Sequence, residues 1–61
     1  MTIDTYNKFI VAARGESILI MNPPDGPMSK TEALNLAAYL VCVTDPRGGK
    51  FQEVLEAIRN T

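Results

Sequence analysis

The sequence predicts a small α+β domain of order ββαα, and three observations carry that prediction. Two short runs rich in β-branched and aromatic residues flank a glycine turn within 6–21. A capped Ala/Leu helix at 30–44 follows a proline-rich entry, and an amphipathic helix at 50–59 closes the 61-residue chain.

The first run, Tyr6 to Ala13, reads Tyr-Asn-Lys-Phe-Ile-Val-Ala-Ala and has strand chemistry throughout. Arg14-Gly15-Glu16 breaks it. Ser17 to Met21 then forms a second strand, ended by Pro23, which has no amide to give a ladder. Whether the two-residue loop is Arg14-Gly15 or Gly15-Glu16, the parity is unchanged. Phe9, Val11, Ala13, Ile18 and Ile20 share one face, and Ile10, Ala12, Leu19 and Met21 the other. Both faces are apolar, whereas a hairpin lying on a single layer of helices should alternate apolar with polar. Leaving Ile10, Leu19 and Met21 in water would forfeit about 1.5–3 kcal/mol each, against a net stability of only ~5 kcal/mol for a domain this small.

The helix at 30–44 has a start signal with a mechanism. Ser29 can accept the amide of Glu32 while the Glu32 carboxylate accepts the amide of Ser29, a capping box. Pro23, Pro24 and Pro27 hold the approach extended, so the helix cannot extend backwards. Asn35, Tyr39 and Cys42 make one narrow polar stripe, and the rest of the helix after its first turn is Ala, Leu and Val. Such a helix needs cover on more than one side. Asp45 and Pro46 stop it, and Gly48 and Gly49 reverse the chain. In the last helix Phe51, Val54, Leu55 and Ile58 form one apolar face opposite Gln52, Glu53, Glu56 and Arg59.

Length allows one domain, 1–61, burying about 60% of its unfolded surface. Its apolar surface exceeds what two layers can hide, so the expected remedy is homodimerisation, by hairpin edges or by long helices. Ile10, Leu19, Met21, Leu36, Tyr39, Leu40 and Val43 are the candidate residues of the dimer or partner interface. Pro24, Asp25 and Arg47 are the candidate exposed loop residues.

Composition excludes several function classes. Six basic and seven acidic residues, spread along the chain, give a net charge of −1 and no drive toward nucleic acid or anionic membranes. One cysteine without histidine offers neither an internal disulfide nor a zinc site; no cofactor or metal is expected, and the chain reads as cytoplasmic. The longest uncharged run, Ala33 to Thr44, is twelve residues, short of the about 20 that cross a bilayer. The start, Met1 to Thr5, lacks the pattern of a signal peptide.

Motifs that could carry chemistry fail on their neighbours. Asn22-Pro23-Pro24 after a strand resembles the catalytic strand end of amino-group methyltransferases, but Asp25 stands where their base-stacking aromatic should be, and no glycine-rich cofactor loop occurs. Gly49-Lys50 is followed by Phe51 in place of the Ser or Thr of a phosphate loop. Arg47-Gly48-Gly49 is a single copy of a triplet that binds RNA when repeated. Cys42 has no histidine to activate it, and Glu53, Glu56, Asp25 and Asp45 have no catalytic partner.

The segment Ile20 to Ala33, a hairpin end passing through a proline turn into an Ala/Leu helix, resembles small reading frames of tailed phages and prophages. That resemblance implies a phage accessory protein, working in the host cytoplasm by binding and inhibiting a host enzyme or defence protein. It assigns no residue a role. The expectation is therefore a non-enzymatic homo-oligomeric protein that acts by binding another protein. The alternative is a dimeric β-ribbon regulator placing the hairpin in a nucleic-acid groove with Lys8 and Arg14 outward, which the acidic balance disfavours.

Overall fold

A computed structural model describes residues 3–61 and has the order ββαα: strands β1 (Val11–Arg14) and β2 (Ser17–Ile20), then helices α1 (Lys30–Thr44) and α2 (Gly49–Arg59). The strands pair antiparallel with Val11 opposite Ile20, Ala12 opposite Leu19, Ala13 opposite Ile18 and Arg14 opposite Ser17. This register fixes the loop as Gly15-Glu16. Gly15 takes φ +59° while Glu16 stays at negative φ, the combination of a hairpin turn with glycine at its first central position.

The strands are shorter than the hairpin at 6–21. Asn7 ends the first one early: its Oδ1 accepts the Val11 amide at 3.0 Å and its Nδ2 donates to the Val11 carbonyl at 3.1 Å, while the Ile10 amide bonds the Asn7 carbonyl. A side-chain amide that imitates backbone offers the chain a turn in place of a ladder. Ile10 then lies at φ +50°, and the consecutive carbonyls of Phe9 and Ile10 both accept amides across the hairpin, from Asn22 and Met21. In a regular strand, neighbouring carbonyls point opposite ways, so the chain is kinked here as at a bulge. Phe9 and Val11, 4% and 5% exposed, form the small core between hairpin and α1.

Helix α1 starts with the reciprocal capping box: Ser29 Oγ accepts the Glu32 amide and Glu32 Oε1 accepts the Ser29 amide, each at 3.1 Å. Asp45 closes it, its amide donating to the Val41 carbonyl, and a turn from Asp45 to Gly48 follows, with Gly48 at φ +77°. Asp45 Oδ2 also accepts the Phe51 amide at 2.7 Å, supplying the cap that Gly48, having no side chain, cannot. One carboxylate thus joins the end of α1 to the start of α2.

Beyond that link α2 is alone. It shares no extensive interface with either strand or with α1, and none of its residues is buried. The radius of gyration is 12.6 Å, against about 10.5 Å for a compact domain of this length. The accessible surface is 5260 Å², whereas a compact chain of 6.7 kDa is expected to show roughly 3,900 Å².

Candidate interaction surface

One concavity runs along α1. Asn35 and Tyr39 lie one turn apart on α1, and each donates to the backbone of the N-terminal segment, Asn35 Nδ2 to the Asp4 carbonyl at 3.0 Å and the Tyr39 hydroxyl to the Thr5 carbonyl. The segment is thereby laid alongside the helix. A groove of about 640 Å³ opens between them, floored by Thr31, Leu34, Ala38 and Cys42 and walled by Ile3. Leu34, Ala38 and Cys42 recur every fourth residue and so form a continuous row on one side of the helix. That row is open to solvent, Leu34 being 72% exposed, and so is the wall, with Ile3 at 77%. Among the described residues Asp4 is the sole charged side chain lining the groove.

A second, smaller concavity of about 200 Å³ lies where the proline-rich loop curls against Lys8 and Phe9. Asn22 anchors this loop, donating its side-chain amide to the Lys8 carbonyl at 2.8 Å. Lys8 forms an ion pair with Glu32, tying the hairpin to the first turn of α1. The Lys8 ammonium and the Ser29 cap bonds lower the Glu32 carboxyl from its ordinary 4.5 to about 2. Of the two bases expected to project from the hairpin, Lys8 is therefore engaged and Arg14 holds no ion pair among the described residues.

The expected interface residues divide. Ile10 and Met21 are exposed, Met21 at 60%, so part of the second sheet face lies in water. Leu19, Leu36, Leu40 and Val43 are half-buried; the three from α1 lie on its shielded side, since α1 packs against the hairpin. Tyr39 is half-buried with its hydroxyl committed to Thr5, so the polar stripe of Asn35 and Tyr39 binds the chain's own backbone and does not lie free for a partner. Pro24, Asp25 and Arg47 are exposed in their loops. Sequence reading missed Ile3, Leu34 and Ala38. A signal for them existed in the period-four row of α1, but which side of an almost uniformly apolar helix faces out depends on where the hairpin docks.

The apolar face of α2 is the second open surface. Phe51, Val54 and Ile58 are all exposed, Ile58 at 63%, and only Leu55 is half-buried. Among the described residues, no group of three or more His, Cys, Asp or Glu is arranged to hold a metal ion, and no helix is long and apolar enough to cross a membrane.

The class these features define is a small ββαα domain with two uncovered apolar helix surfaces. No protein-family model matches the sequence, and no curated protein or solved structure matches the chain.

Proposed function

We propose that this is a small homo-oligomeric interaction protein without catalytic activity, which acts by binding another protein. The observation that carries the reading is surplus surface. The chain exposes roughly 1,350 Å² more than a compact monomer of its mass should, more than the ~800 Å² each partner contributes to a standard interface. Much of what it exposes is large and apolar: Ile3, Leu34, Met21, Phe51, Val54 and Ile58. Ile3 and Leu34 line one groove and Phe51, Val54 and Ile58 one helix face, and exposed apolar patches of this kind are found at sites of association. Self-association accounts for the helix surfaces. The loop residues Pro24, Asp25 and Arg47, exposed and, for the charged two, free of ion pairs among the described residues, are offered to a second protein. The resemblance of 20–33 to phage reading frames points to a host enzyme or defence protein as that partner.

Sedimentation equilibrium at micromolar concentration tests the oligomer. A mass about twice the 6.7 kDa of the chain is expected; a folded monomer up to the highest soluble concentration overturns it.

A further inference from the structure

We propose that the groove along α1 is filled by α2 of a second copy, each chain giving its last helix to the other. This deepens the oligomeric reading above and rests on it.

Length is the first argument. At 1.5 Å per residue, α2 is about 16 Å long and the groove floor from Thr31 to Cys42 is also about 16 Å. Chemistry is the second. Phe51, Val54, Leu55 and Ile58 stand at the i, i+3, i+4, i+7 positions by which a helix anchors in an apolar groove. Ala38, between Leu34 and Cys42, leaves the floor a notch where a larger side chain can enter and the helix axes can approach closely. Charge agrees as well. Glu53 and Glu56 project from the far side of α2, and Lys50 and Arg59 flank its apolar stripe, so seating the helix brings no carboxylate against Asp4.

A chain's own α2 does not occupy its groove. The Asp45–Gly48 turn and the Asp45 bond to the Phe51 amide aim α2 away from α1, although a connection this short ordinarily lays two helices side by side. A second copy carries the same helix and the same groove, so one two-fold operation satisfies both at once and closes the assembly. The area fits: roughly 1,350 Å² of surplus on each chain gives about 2,700 Å² for the pair, within the range of obligate homodimer interfaces.

Cys42, exposed on the groove floor, is a built-in reporter. Single variants Val54→Cys and Ile58→Cys, on the α2 stripe, and Glu53→Cys, on its far side, are treated with a short bis-maleimide and the linked peptides mapped by mass spectrometry, alongside sedimentation of each variant. The expected result is interchain linkage of Cys42 to position 54 or 58 at least tenfold above linkage to position 53. A dimer by sedimentation in which positions 53 and 54 link equally, or only Cys42 to Cys42, overturns this inference and leaves the oligomeric reading standing. Linkage of Cys42 to position 54 within one chain shows the groove taken by the chain's own helix and also overturns it. Monomeric sedimentation of all three variants and of the parent overturns both.

Discussion

At the scale of single residues, Glu32 does the most joining. Its carboxylate accepts from the Ser29 amide and from Lys8, so one group both starts α1 and fastens it to the hairpin. Because the folded value, about 2, is depressed below the ordinary 4.5, the stabilisation is fully present above about pH 4.5 and is lost as pH falls toward 2. Acid titration followed by circular dichroism should show destabilisation beginning below pH 4.5 that Glu32→Gln abolishes; an unchanged acid limb in the variant refutes the role. The capping half of this was legible, because a cap is a contact between residues three apart. The Lys8 half was not, since it joins positions far apart in sequence whose approach depends on docking. Ile10 ran against its own chemistry: a β-branched side chain at φ +50° is strained, and strand propensity argues for the conformation it does not adopt. Asn tolerates that region far better, so Ile10→Asn should stabilise the folded chain by about 1 kcal/mol in urea unfolding unless Ile10 is covered in the assembly.

At the scale of elements, both helices and the hairpin turn could be read because their signals are local: a capping box, prolines before it, Asp45-Pro46 after it and glycine at the bend. The strands were over-extended, since Asn7 diverts the backbone by a side-chain bond that no alternation pattern encodes. The independence of α2 was not legible either. Its amphipathic pattern states that one face needs cover but not whose. Asp45 shows the cause, as one residue whose backbone amide closes α1 and whose carboxylate caps α2 sets the angle between them. Asp45→Ala should release the Phe51 amide, at a cost of about 1 kcal/mol to the first turn of α2. Hydrogen exchange measures this directly: Phe51 should exchange markedly faster in the variant, with the amides of α1 beyond its last turn unchanged. Equal acceleration along α1 would mean that Asp45 acts on the whole fold and not on the joint.

At the scale of the molecule, the surplus of apolar surface was legible from patterning, because both sheet faces and most of α1 are apolar in a chain too short to cover them. Where the surplus lies was not: the structure spreads it over Ile3 and Leu34 in the groove along α1, over Phe51, Val54 and Ile58 on α2, and over Tyr6, Ile10, Ile20 and Met21 on the hairpin and its flanks. Among the described residues only Phe9 and Val11 are buried, which makes it hard for the lone chain to offset the entropy of ordering its residues. If a second copy supplies the missing cover, folding and association are one equilibrium, and stability depends on concentration. For a dimer of this length the unfolding enthalpy is about 85 kcal/mol near 60 °C, from ~0.7 kcal/mol per residue, so each tenfold increase in protein should raise Tm by about 5–6 °C. Calorimetry or circular dichroism from 5 to 500 μM therefore spans a rise of roughly 10 °C. The dependence should weaken in Ile58→Asp, which puts a charge into the apolar stripe of α2 where it lies free in the monomer and would be desolvated in the dimer. A Tm independent of concentration would show that the chain folds on its minimal core alone, and the open groove and open helix would then require a different occupant.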